Sequence, residues 1–152
     1  ILTYAPLLET RMADVEAMFR TNVVAAFAIA LEMAKRMAAQ KRGHIVFVTS
    51  GAARNVGQFA TVYAGTKHAL AAFAKGFRLE LKGTGIKVSE VAPGMVDTGI
   101  RDASTHPAVQ KSLASRSYAP LTSEDVAEGI LFALTAPERA RVDLLEMQPR
   151  EN

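Results

Sequence analysis

Three polar side chains in the stretch TSGAARNVGQFATVYAGTK, residues 49 to 67, are of types that could do chemistry together: Ser50, Tyr63 and Lys67. On a helix, Tyr63 and Lys67 stand one turn apart on the same face, close enough to interact. A phenol with an ordinary pKa near 10 is a poor acid or base at neutral pH, and a nearby ammonium that favours phenolate would lower it. A tyrosine tuned in this way can give a proton to an alcohol oxygen or take one from it. Ser50 follows the apolar run HIVFV, at the carboxyl end of a strand where open α/β sheets bind ligands, and its hydroxyl could hold the same oxygen. The bland reading is a surface pair on a helix and a serine-glycine turn that ends a strand.

The elements that must position these residues follow from periodicity. Val15, Met18, Phe19, Val23, Phe27, Ala30, Leu31, Ala34 and Met37 recur at helical spacing, which predicts one helix over 11 to 40, stopped by Gly43. HIVFV at 44 to 48 reads as a strand covered on both faces, and a second helix is expected from about Thr61 to Lys82. IKVSEVAPG at 86 to 94 is a second strand ending at Pro93 and Gly94. Between Asp97 and Pro120 periodicity weakens, and residues 99 to 120 read as a substrate loop or lid. Thr122 or Ser123 caps a third helix running to about Thr135, and RVDLLEM at 141 to 147 is a last strand. This alternation predicts a parallel, doubly wound sheet of α/β class with three strands visible.

With 152 residues, 49% of them hydrophobic, the chain can bury a core as a single domain over 1 to 152. No apolar run approaches the ~18 residues of a membrane span and no signal peptide opens the chain, so a cytoplasmic protein without a membrane partner is expected. The absence of cysteine excludes disulfides and thiolate metal sites. The net charge of +3 is spread out; its one cluster, Lys35, Arg36, Lys41 and Arg42, falls at a helix end without interleaved aromatics, which argues against a nucleic-acid partner. His44, His68 and His106 form no local ligand pair, so no metal is expected. A serine hydrolase is disfavoured because Val48 stands where a G-x-S-x-G elbow needs glycine.

Four separated features resemble the short-chain dehydrogenase/reductase family: Asn22 in TNVVAAF, Ser50 in IVFVTSGAA, Tyr63 and Lys67 in YAGTK, and VAPGMVDTGI at 91 to 100. The resemblance implies a Rossmann-like fold and an oxidoreductase that interconverts an alcohol and a carbonyl with NADP, or else NAD. It makes Tyr63 the general acid/base and Ser50 the group that orients the substrate oxygen. Lys67 would lower the Tyr63 pKa and bind the nicotinamide ribose. Asn22 would hold a relay water through its backbone in a locally distorted helix. Pro93, Gly94, Val96 and Thr98 would receive the nicotinamide carboxamide. The family also implies a homodimer or homotetramer built through the 11–40 and 61–82 helices.

The tail, LTSEDVAEGILFALTAPERARVDLLEMQPREN, is similar to that of the subgroup containing serine, 3-hydroxy acid and clavulanic acid dehydrogenases, which generally prefers NADP. The departure from the family is a missing glycine-rich dinucleotide turn, so the sequence is expected to represent the catalytic part, with about 80–90 residues of β-α units absent before it. The other reading is a catalytically inactive fragment that serves as an oligomerising or binding module.

Overall fold

The computed structural model describes residues 1–150. Met12–Gln40 is helical throughout, but in three parts: α1 (Met12–Phe19), a π-helical segment (Arg20–Ala25) and α2 (Ala26–Gln40). Gly43 does not stop this helix. Lys41 does, in the left-handed conformation at φ 52°, with its N–H donating to the Ala38 carbonyl and the Arg42 N–H reaching back to Met37 in a Schellman pattern. Gly43 instead opens β1 (Gly43–Val48). Contrary to expectation, a window of this helix reaches a mean hydropathy of 1.4, long and apolar enough by composition to cross a membrane. A core helix passes the same test, and here Ala30 and Ala34 are packed against the sheet.

α3 (Thr61–Glu80) ends two residues before the expected Lys82. The turn that follows needs Gly85, which has φ 81° and whose Cβ, if present, would fall 2.0 Å from the Lys41 carbonyl oxygen. β2 (Ile86–Pro93) then pairs in parallel with β1 from Gly43↔Ile86 to Val48↔Val91. β3 (Leu144–Met147), shorter than the run expected from sequence, pairs in parallel with β2 from Glu90↔Leu144 to Pro93↔Met147. The order β1-β2-β3 makes β2 the central strand.

Helices lie on both faces of the sheet, but β1 is buried on one side only: Ile45 and Phe47 are covered while Val48 is exposed, against the expectation of a strand covered on both faces. Ile45, Phe47 and Val88 pack with Ala30 and Ala34 of α2 and Leu70 and Ala74 of α3. Phe27, Phe73, Phe77 and Phe47 extend this core as a chain of ring contacts at centroid distances of 4.6 to 5.6 Å, the separation at which tilted and edge-on aromatic pairs are favourable. On the other face, α5 (Ser123–Thr135) brings Gly129 against Leu145 and Met147. Thr122, rather than Ser123, caps α5 in a reciprocal box with Asp125.

Residues 99 to 120 are more ordered than a loop. They hold a 3₁₀ turn (Gly99–Arg101) and an eight-residue helix, α4 (Pro107–Ala114). His106 caps α4 by accepting the Ala108 N–H at 3.1 Å, and Pro107 takes the first helical position, where its missing N–H is harmless. Ser104 anchors the segment: its hydroxyl accepts the Tyr4 N–H at 2.9 Å and its carbonyl accepts the Gln110 side chain at 2.6 Å.

Candidate active site

β1 and α3 bring the three polar residues together. Ser50, just past β1, is buried, and its side chain accepts the Ala52 N–H at 3.1 Å, capping the short 3₁₀ turn Gly51–Ala53. Tyr63, in the first turn of α3, is also buried. Lys67, one turn on, is half-buried; its Nζ donates to the Val48 carbonyl at 3.1 Å and stands 5.7 Å from the centre of the Tyr63 ring. All three line one cavity of about 730 Å³, and so do Pro93, Gly94, Val96 and Thr98 from the carboxyl end of β2.

The electrostatics depart from expectation. Burial pushes the Tyr63 phenol up to about 12, with the Ser50 hydroxyl pulling down, Tyr4 pushing up and Arg101 pulling down as successively smaller influences. Lys67 is itself lowered to about 8 by burial. Both shifts have one origin: an apolar surrounding disfavours phenolate and ammonium alike, and here that exceeds any stabilisation of phenolate by the lysine. Burial therefore favours the neutral form of the Tyr63 phenol rather than the phenolate that the Lys67 spacing led one to expect.

Asn22 lies one layer behind the cavity, buried in the π-helical segment. Its Nδ2 donates to the Ile1 carbonyl at 2.7 Å and to Thr66 Oγ1 at 3.2 Å, while its Oδ1 accepts from the Ile1 nitrogen at 2.7 Å. Thr66 in turn donates to the Tyr63 carbonyl at 2.7 Å. The helix distortion thus turns a polar side chain inward and ties it to the turn that holds Tyr63. π-Helical turns recur at functional positions for this kind of re-aiming.

On the opposite wall, the Gly94 N–H donates to Met147 at 2.7 Å, and a Cβ there would fall 2.2 Å from Gln148 Oε1 and 2.9 Å from the Pro149 ring. A side chain there would have to displace the Gln148 side chain and crowd the Pro149 ring, in the segment just past β3. One backbone group expected to face a carboxamide, the Val96 carbonyl, accepts Arg101 Nη2 at 2.7 Å. The Thr98 side chain accepts the Ile100 N–H at 3.4 Å, which leaves its own O–H to donate.

Several residues around the site were not singled out from sequence. Tyr4 meets the Tyr63 ring edge-on at 6.0 Å, and Arg101, Arg116 and Tyr118 complete the outer wall. Behind Ser50, the buried Glu90 accepts Thr49 Oγ1 at 2.6 Å and pairs with Arg54 Nη2 at 2.9 Å. A signal for Glu90 existed, since a lone carboxylate inside the buried-type run VSEVA requires a partner. No such signal marks Arg54, whose partners Glu90 and Glu146 are distant in sequence, or the link from Thr66 to Asn22, 44 residues away. The three histidines have separate local roles: His44 bonds Ser89, His68 bonds the Ala64 carbonyl and His106 meets Glu9.

Residues 1–108 match the family of the short chain dehydrogenase. The chain belongs to the short-chain dehydrogenase family. Among its relatives, an uncharacterised oxidoreductase of Staphylococcus aureus is 31% identical over 134 residues, covering 88% of this chain and 54% of the relative. The NADP-dependent 3-hydroxy acid dehydrogenase of Schizosaccharomyces pombe is 35% identical over 133 residues, covering 87% and 51%. The closed form of serine dehydrogenase complexed with NADP+ superposes with a TM-score of 0.84 at 26% identity, covering 96% of this chain and 60% of that one. This short-chain dehydrogenase chain spans about half the length of the curated relatives it matches. Its three-stranded parallel sheet agrees with a Rossmann-like fold represented in part.

Proposed function

We propose that the protein is an oxidoreductase interconverting an alcohol and a carbonyl with a nicotinamide dinucleotide, NADP in preference to NAD, and that Ser50, Tyr63, Lys67 and Asn22 form its acid-base site. The observation behind this reading is the convergence of Ser50, Tyr63 and Lys67 on one cavity whose facing wall is Pro93, Gly94, Val96 and Thr98. The NADP named for the yeast relative and for the serine dehydrogenase complex favours that cofactor.

The donor set fits a nicotinamide riboside. The Lys67 ammonium has N–H groups beyond the one given to Val48, and the Thr98 hydroxyl and the second lone pair of the Val96 carbonyl suit a carboxamide. The cofactor, when bound, supplies or accepts the hydride. In carbonyl reduction Tyr63, held protonated by burial, donates its proton to the substrate oxygen while the Ser50 hydroxyl holds that oxygen in place. In the reverse direction Tyr63 must first lose its proton, to which the Lys67 charge and a water held by the Asn22 backbone contribute.

Residues 99 to 120 act as the substrate lid. Arg101 and Arg116 line its side of the cavity, and the 3-hydroxy acid in the yeast relative's name is consistent with a substrate whose carboxylate meets these guanidiniums. Assembly as a homodimer or homotetramer through the 11–40 and 61–82 helices is supported by exposed Val24, Ile29 and Leu79. A cytoplasmic location accords with the generally soluble character of the family.

The test is NADPH-dependent carbonyl reduction by the protein as its gene encodes it. Tyr63→Phe is expected to lower kcat by about a hundredfold or more, in the range of a lost general acid, with NADPH affinity retained. Unchanged turnover would refute the assignment of Tyr63, and no turnover by the unaltered protein would favour the oligomerising or binding module instead.

A further inference from the structure

Glu90 is a charged group in an unfavourable place. It lies in the middle of the central strand, 1% exposed, on the face covered by α2 and α3, where an unpaired carboxylate would be strongly destabilising. Its two partners flank Ser50 in the chain. Thr49, immediately before Ser50, donates its hydroxyl to Glu90 Oε1 at 2.6 Å. Arg54, just after the Gly51–Ala53 turn, places Nη2 on the same oxygen at 2.9 Å and Nε 3.2 Å from Glu146 Oε1 of β3. The Thr49 N–H also donates to the Val91 carbonyl at 2.8 Å. The segment from Thr49 to Arg54, with Ser50 and its capped turn inside it, is thus held at both ends by β2.

Folding alone gives little reason for this arrangement. A buried ion pair is on average no more stabilising than apolar residues of the same volume, because both charges lose their hydration. Here the pair also leaves Arg54 Nη1 buried with no hydrogen-bond partner among the described residues. What the pair does supply is direction, since one guanidinium nitrogen and a hydroxyl sharing a carboxylate oxygen, with a second guanidinium nitrogen on Glu146, fix the segment more narrowly than apolar packing could.

We propose that Glu90 is a positioning residue for the reaction, holding Ser50 through Thr49 and Arg54 so that its hydroxyl meets the substrate oxygen beside Tyr63. This rests on the oxidoreductase reading above for its catalytic consequence, but the holding of the turn is measurable without turnover.

The experiment uses the protein as its gene encodes it and Glu90→Gln, which keeps an acceptor for Thr49 and removes the charge opposite Arg54. Amide hydrogen exchange is read at Ala52, whose N–H is held by Ser50, and at Val88 in the same strand as Glu90. Exchange at Ala52 is expected to rise at least tenfold more than exchange at Val88, which reports the global stability lost with the ion pair. In carbonyl reduction, Glu90→Gln is expected to lower kcat about tenfold with the NADPH KM unchanged, and to lower it less than twofold in a Ser50→Ala background, because residues acting as one unit are not additive. Equal rises at Ala52 and Val88, or the same loss of kcat in both backgrounds, would make Glu90 a general stability element and overturn the proposal. The expected exchange pattern in a protein without turnover would uphold the holding role and refute the oxidoreductase reading instead.

Discussion

The two ends of the β1–β2 pair are built from different materials. Toward their amino ends, Ile45 and Val88 join Leu70, Ala74, Ala30 and Ala34 in an apolar cluster extended by interlocking phenyl rings. Toward their carboxyl ends, Thr49, Ser50 and Glu90 are just as buried, but each polar group is tied to another or to the backbone, and Asn22 and Thr66 continue the network under Tyr63. The first end needs only volume and shape, which many sequences supply. The second depends on specific pairs, and that is the end where ligand-binding chemistry in open α/β sheets is found. The cavity is lined from the end held by specific pairs, and none of the apolar cluster's buried residues reaches it.

The strongest way to break the polar end is to remove one member of its ion pair. Arg54→Leu strands the Glu90 carboxylate, and unfolding in urea should show a loss of about 3 kcal/mol, the scale of an uncompensated buried charge. At the apolar end, Gly85→Ala forces a Cβ toward the Lys41 carbonyl at positive φ; its expected loss is roughly 2 kcal/mol, with substrate KM unchanged because the turn lies at the far end of β2 from the cavity. Thr122→Ala, which removes the α5 cap away from both regions, should cost about 1 kcal/mol in the same measurement.

The smallest effect sharpens the comparison through pH. Lys67 holds its proton only to about pH 8 when folded, against 10.5 as its ordinary value, so between these limits the unfolded chain binds more protons. Its contribution to stability therefore rises from pH 8 toward 10. Above pH 10 Tyr63, raised to about 12, works in the opposite direction, since the unfolded chain loses that proton first. Urea midpoints of the unaltered protein and of Lys67→Met should diverge in slope between pH 8 and 10, with the rise absent from the variant; parallel slopes would show that the lysine is not desolvated.

The difference between the ends also explains what could be read from sequence. Periodicity located α2, β1, α3, β2 and α5, because their burial is regular and apolar. The separated motifs, taken with the family resemblance, led to Ser50, Tyr63, Lys67 and the Pro93–Thr98 wall, which the fold gathers in one cavity. The direction of the Tyr63 shift was not legible, because spacing shows that Lys67 is near but not how deeply both side chains are buried. α4 was missed although His106-Pro107 is a helix start, since its eight residues are too few for a clear apolar stripe. The Glu90, Arg54 and Thr49 network joins two segments 41 residues apart by its shortest hydrogen bond, a pairing only the register of β1 on β2 creates.

The role of Tyr63 is tested most directly by a paired measurement of folding and turnover in Tyr63→Phe, made on the protein as its gene encodes it. If the carboxyl end of the strands is the working end, the urea midpoint should shift by less than the equivalent of about 1 kcal/mol, because the ring and its contact with Tyr4 remain, while carbonyl reduction falls by about a hundredfold or more. A variant that unfolds more easily yet reduces carbonyl at the original rate per folded molecule would contradict it, and would make Tyr63 a core residue.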